Sequence, residues 1–294
     1  MKIATGLLLS SVLSSTYAQQ PPPPSQPVVA LMAAVGDRIE VVRQRQQVGS
    51  HLEPFTRRVL QVQGQALNVA ALRGLEKAMA EEEPQDRLVL LRWNMPATLT
   101  ERMESTRGAD RQALVLDEVL GHLRRMPERA EWDRIELLVP AYTYAPVTGM
   151  GTKLSGVGVY VQPLASQSAE ISGMGDTITL SDTDGDYRTI NPNTGERGNS
   201  SVYVAPFMYF ERFSYDAKTL QLVKRQRFFS NTKYADPMSA ALDVAQQMSK
   251  EQLMGKLMET IERSAYKSVR QGQGEVTVTQ PKPLPAASAA AASQ

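Results

Sequence analysis

Ser50, His51 and Glu53 put a hydroxyl, an imidazole and a carboxylate into one short connector. These are the groups from which a hydrolase assembles nucleophile, base and orienting acid. The only other histidine, His122, falls inside a helical pattern and reads as a surface or boundary residue. No G-x-S-x-G turn accompanies Ser50, and adjacency along the chain does not supply the spatial geometry such a constellation needs. Tyr142 and Tyr144 with Lys153, at strand-end positions, are a second set on which a metal-independent hydrolase could draw.

Metal chemistry has little to work with. There is no cysteine, which removes disulfides, thiol catalysis and thiolate metal sites. With two histidines, a catalytic zinc site would have to rest on carboxylates. The stretch SDTDGDYRTINPNTGER (181–197) places Asp182, Asp184 and Asp186 at alternate positions, as a calcium loop does. In that register, however, Tyr187 stands where the loop needs glycine and Asn193 where it needs its last acid, so the stretch reads as a turn-rich loop. Met238, Met248, Met254 and Met258 could offer thioethers to copper, but without a neighbouring histidine they read as gap-filling core residues. No metal and no cofactor is expected.

Two further groups of residues could bind ligands. The run TGMGTKLSGVGVYV (148–161) superficially resembles a phosphate loop, yet a strand pattern follows it where a helix is required. Its glycines read instead as sites of close backbone packing, with Lys153 of interest only if it faces a pocket. Arg43 and Arg45 share one face of a strand, as do Arg225 and Arg227; Arg57/Arg58 and Lys224 are further basic positions. If the two pairs fall on adjacent strands, they form a site for a small anionic ligand or an acidic partner.

The elements that must position these residues follow from hydrophobic periodicity. Residues 28–35 are a continuous apolar run, and Ile39 and Val41 alternate with Glu40 and Val42 beyond Gly36-Asp37, predicting a hairpin or two consecutive strands. A strand at 56–62 precedes a helix from Ala66 that ends at the acidic run before Pro84. A strand at 87–93, a helical region broken near Arg107-Gly108, and a strand following Trp132 complete an alternating succession that predicts parallel strands. The second half is strand-rich and aromatic, with a turn at Tyr215-Asp216-Ala217-Lys218. Pro206 predicts an edge strand or a bulge. Residues 165–200, poor in large apolar side chains, form a polar excursion. A helix opens at Asp236-Pro237 and restarts at a capping box from Ser249 to Gln252, burying Leu242, Leu253, Leu257, Ile261, Ala265 and Val269. The expected fold class is α/β: alternating βα in the first half, antiparallel strands in the second and a C-terminal helix, with a mixed sheet and helices packed on it.

Residues 1–18 have a basic start, a short apolar run and a small-x-small site at Thr16-Tyr17-Ala18, the pattern of a secretory signal. Residues 19–27 read as a proline-rich spacer, 28–270 as one α/β domain and 271–294 as a disordered Pro/Ala/Ser tail. Periplasmic or secreted localisation is expected, with no lipid anchor because no cysteine is available. Removing Lys2 with the signal leaves 31 basic against 31 acidic side chains, because the 32 Lys and Arg lose one and the 31 Asp and Glu lose none. That balance gives no broad field for nucleic acid or an anionic membrane. The expected activity is binding or assembly in the cell envelope, on an envelope protein or a small anionic ligand. The alternative is an esterase- or phosphoesterase-like hydrolase centred near His51.

Overall fold

The computed structural model describes residues 26–44, 55–144, 150, 153–162, 188–200, 202–236, 238 and 248–270. Arg45, Ser50, His51, Glu53 and the three alternating aspartates lie outside the described residues. So do the signal, the tail, Leu242 and all of the spacer except Gln26 and Pro27.

A mixed sheet with four helices packed on it forms the described part of the chain. The strands of the first half are β1 (Val28–Ala33), β2 (Arg38–Gln44), β3 (Phe55–Gln61), β4 (Arg87–Leu91) and β5 (Arg134–Pro140). Between them run α1 (Ala66–Glu82), α2 (Ala97–Ser105), α3 (Gly108–Arg124) and a 3-10 turn at Pro127–Glu131. The second half supplies β6 (Val157–Gln162), a small hairpin of β7 (Arg188–Ile190) and β8 (Arg197–Asn199), the long strands β9 (Tyr203–Asp216) and β10 (Leu222–Asn231), and α4 (Lys250–Arg270).

The predicted parallel set exists, but its membership differs from the expectation. β4, β1 and β5 lie side by side and parallel. β3 instead pairs antiparallel with β2. β1 and β2 are consecutive strands that run on into different neighbours: β1 pairs with β5, and β2 pairs parallel with β6. β9 is paired along one edge by β10 and along the other by β6 over its first half and β5 over its second. The sheet is therefore interrupted along one line, where β1 gives way to β2 and β5 to β6.

Pro206 lies in a central strand, in unshifted register with Val159 of β6, so the edge-or-bulge expectation is corrected. β10 ends opposite Phe207, and beyond it the Thr232 amide donates to the Pro206 carbonyl at 3.2 Å. A residue's N and C=O face the same edge of a strand, so the missing N–H points where β10 no longer asks for it.

One face of the sheet is covered by α1 and α4, which share a cluster with Val29, Leu31, Leu138, Val159, Met208 and Phe210. The helices cross closely because a Cβ on Gly74 would lie 2.0 Å from the Glu262 carbonyl oxygen. Leu257, Ile261, Ala265 and Val269 are buried as their spacing predicted, with Leu253, Met254 and Met258 packed against them. Ser249 and Gln252 make the expected reciprocal capping bonds at 2.8 and 3.2 Å. Met238, however, is exposed rather than packed. The opposite face carries two separate clusters: α2 and α3 cover β1, β5 and the end of β9, while Met150 and Leu154 cover Tyr160, Tyr203 and Phe207.

In the polar excursion, β7 and β8 pair around an Asx turn in which Asn191 Oδ1 accepts from the Asn193 and Thr194 amides at 2.9 and 3.2 Å. The turn reading holds for this described end of 181–197.

Candidate functional site

A cleft opens where the sheet is interrupted, lined by Met95, Met103 and Tyr142 beside the α2/α3 cluster and by Val35, Ile39 and Val157 of the α1/α4 cluster. It lies just outside the carboxyl ends of the three parallel strands: Val35 and Gly36 follow β1, Met95 follows β4, Pro140 ends β5 and Tyr142 follows it. Ligands of open α/β sheets characteristically bind in such crevices. Ile39 and Glu40 of β2, Val59 of β3, Gly156 and Val157 at the start of β6, Thr100, Met103 and Glu104 of α2 and Arg111 of α3 complete the lining. The cavity measures about 210 Å³. At ~30 Å³ per liquid water, that is room for roughly seven waters or a small organic molecule.

The interruption is built, not incidental. Asn68 of α1 is buried, and its Oδ1 accepts from the Val35 and Gly36 amides at 2.8 and 3.1 Å. Its Nδ2 donates to the Trp93 carbonyl at 3.1 Å and to Gln65 Oε1 at 2.9 Å. One amide thus satisfies the backbone groups freed where β1 ends and ties them to the segment after β4. Gly36 turns the chain with φ +90° and Gly156 with φ +67°, and a Cβ on Gly156 would press on the Tyr142 ring at 3.3 Å. A Cβ on Gly158 would lie 1.9 Å from the Glu40 carbonyl oxygen, so β6 seats β2 by direct backbone approach. The close-packing reading of the glycine-rich run holds at these two positions.

Glu40 is the most enclosed acid of the cleft, 7% exposed. Its Oε2 lies 3.3 Å from Arg57 Nε and accepts from Ser155 Oγ at 3.4 Å. Burial pushes its carboxyl above the ordinary glutamate range, although Arg57, Arg111 and Ser155 pull the other way. Tyr142 is likewise pushed up, first by desolvation, with Glu40 and Asp37 adding to it against Arg111 and Arg38. Arg111 is fixed from two sides: its Nε donates to the Thr106 carbonyl at 2.9 Å, and its guanidinium lies over the Tyr142 ring at 5.4 Å. Arg38 and Glu104 bridge each other at 2.8 Å. Asp37 Oδ1 is a buried acceptor with no partner among the described residues.

The residues expected to form sites are distributed differently. Tyr142 lines the cleft, and Tyr144, half exposed, lies under Arg57 at 5.7 Å. Lys153 is buried but does not line the cleft: its Nζ donates to Gln44 Oε1 at 2.9 Å, and its carbonyl accepts from Arg57 Nη2 at 2.7 Å. Arg43 is exposed on the face of β2 opposite Glu40. Arg225 and Arg227 do share a face, but β10 is separated from β2 by β9 and β6, so Arg43 does not lie on a strand adjacent to theirs. Both are committed to Glu211, at 2.7 and 2.5 Å, while Gln112 of α3 donates to the same carboxylate at 2.8 Å. These hydrogen bonds hold Glu211 below the ordinary range despite its burial. That cluster fastens β10 and α3 to the sheet. His122, in the last turn of α3, is half-buried.

Sequence reasoning missed Glu40 and Arg111. The available signal was an acid among the apolar residues of the strand that follows the Gly36 break; Arg111 had none beyond its helix. Among the described residues, no group of three or more His, Asp or Glu is placed to hold a metal ion, and no helix is long and apolar enough to cross a membrane. Comparison of the chain with family models, with curated proteins and with solved structures gives no match in any of the three.

Proposed function

We propose that this chain is an exported protein of the cell envelope that acts by binding a small ligand in the cleft at the sheet interruption. The observation that carries this reading is that an enclosed carboxyl, Glu40, and a positioned guanidinium, Arg111, line one cleft inside mostly apolar walls at the carboxyl ends of parallel strands. Few, oriented polar groups in an apolar concavity are what small-molecule sites share. Export is supported by the leader pattern of residues 1–18. The hydrolytic alternative draws on Ser50, His51 and Glu53, outside the described residues, or on Tyr142 and Tyr144 with Lys153, of which only Tyr142 lines the cleft.

The test is a thermal-shift screen of small polar and amphipathic compounds on the mature chain, repeated on Val59→Trp. Val59 lines the cleft from an edge strand and is 53% exposed, so the indole can enter without disturbing a core. Binding at a hundred times Kd adds ~2.7 kcal/mol of stability, which a melt resolves readily. Hits that disappear in the tryptophan variant support the cleft; hits that persist unchanged, or none at all, sink it. Export is checked by N-terminal sequencing of the extracytoplasmic protein, expected to start at Gln19; an uncleaved cytoplasmic chain would contradict it.

A further inference from the structure

We infer that the ligand of this cleft is a small monocarboxylate with an apolar tail, its carboxylate held by the guanidinium of Arg111. The inference rests on the ligand-binding reading above and narrows it to a chemical class.

Three arginines stand around the cleft, and two are already matched to acids. Arg38 is bridged to Glu104 at 2.8 Å, and Arg57 is set against Glu40 at 3.3 Å. Arg111 lines the cavity with no carboxylate partner among the described residues. Only its Nε is engaged, by the Thr106 carbonyl at 2.9 Å, and its plane is held over the Tyr142 ring. The two terminal amino groups of a guanidinium fixed in this way are a preorganised fork, and a fork of that shape matches a carboxylate with two parallel hydrogen bonds.

The rest of the cleft decides between anions. Asp37, Glu40 and Glu104 all line it. A dianionic phosphate would bring a second negative charge with no free counter-charge beside these acids, and an uncompensated charge in an enclosed site is strongly unfavourable. A single negative charge finds in Arg111 the one guanidinium not bridged to an acid, whereas a second finds no counter-charge, because Asp37, Glu40 and Glu104 already equal the three arginines in number. The remaining surface is aliphatic and thioether: Val35, Ile39, Met95, Met103 and Val157. That surface, which outweighs the hydroxyls of Thr100 and Tyr142, rewards an apolar tail with burial. A cavity of about 210 Å³ accommodates a short chain and excludes a long acyl tail.

The experiment is isothermal titration of the mature chain with hexanoate, hexanol, hexylamine and inorganic phosphate, on wild type and on Arg111→Gln, Arg111→Lys and Val59→Trp. Hexanoate is expected to bind at least about tenfold more tightly than the other three. Arg111→Gln should weaken it by roughly tenfold to a hundredfold, the loss expected for charge-assisted hydrogen bonds. Arg111→Lys, which keeps the charge without the fork, should fall between, and it serves as the deciding variant if the glutamine form does not fold by circular dichroism. Arg124→Gln, at the far end of α3, should leave binding unchanged. Equal affinity for hexanol, tighter binding of phosphate, or wild-type hexanoate affinity in both Arg111 variants would overturn the carboxylate assignment. If those alternative ligands still lose binding in Val59→Trp, the cleft reading survives that failure. If no compound binds in a way that Val59→Trp blocks, both readings fall.

Discussion

At the scale of single residues, the two enclosed acids on the α3-side face respond to pH in opposite directions. Glu40 is faced by Arg57 from β3, Arg111 from α3, Ser155 before β6 and Tyr142 after β5, and burial nevertheless raises its carboxyl above the ordinary value of about 4.3. A raised acid is protonated more readily in the folded chain than in the unfolded one. Its contribution to stability is therefore complete below the unfolded pKa and is lost as pH rises through the folded pKa. Thermal melts across the range from mildly acidic to neutral should show this decline in wild type and a flatter profile in Glu40→Gln; an unchanged slope would contradict the assignment. Glu211 has the opposite sign. Arg225 and Arg227 hold it below its ordinary value, so its contribution is present above the unfolded pKa and disappears as pH falls through the folded one. Glu211→Gln should cost ~1–3 kcal/mol in urea unfolding, the range for losing hydrogen bonds to a charged group. Arg225→Gln should cost less, because that arginine is 52% exposed and its charge is well solvated without the pair.

At the scale of elements, glycine positions separate intrinsic propensity from packing. Gly74 in α1 and Gly255 in α4 are both helical, and alanine ordinarily favours a helix over glycine by about 1 kcal/mol. Nothing lies within 4 Å of a Cβ on Gly255, so Gly255→Ala should stabilise by ~0.5–1 kcal/mol. Gly74 meets the backbone of α4 at 2.0 Å, so Gly74→Ala should instead destabilise by ~1–3 kcal/mol, as overpacking does. Chemical denaturation of the two variants side by side reads this reversal of sign. A similar argument applies to the clamp at the sheet interruption. Asn68→Ala leaves the Val35 and Gly36 amides without their acceptor and should cost ~2–4 kcal/mol; weakened binding of cleft ligands should accompany it.

At the scale of the whole molecule, the layering predicts where backbone protection is greatest. β1, β5 and β9 are paired on both edges and covered by helices, whereas β3 and β10 each pair along one edge and expose most of their side chains. Native-state hydrogen exchange should be slowest in β1, β5 and the second half of β9, and fastest among the strands in β3 and β10. Comparable rates in β3 and β1 would mean that the sheet does not open from its edges. The long β9 holds the two halves of the interrupted sheet in one layer, and so keeps the cleft a fixed crevice between them.

What the sequence alone determined is local. Helix α1, the break before α3, the stripe of α4 with its capping box and the positions of most strands follow from period and cap chemistry, which act within a few residues. The burial of Leu257, Ile261, Ala265 and Val269 follows from the same periodicity. Partner choice was not legible, because a strand's pattern records how many of its faces are buried but not which strand lies beside it. That is why the pattern puts β3 with the parallel set and Pro206 at an edge or a bulge, and leaves open whether the arginine pairs fall on adjacent strands. The candidate site depends on that missing information. Glu40, Arg57, Arg111 and Tyr142 come from four separate elements, and only the tertiary structure brings them together, where two collinear strand pairs part and one asparagine holds the gap open.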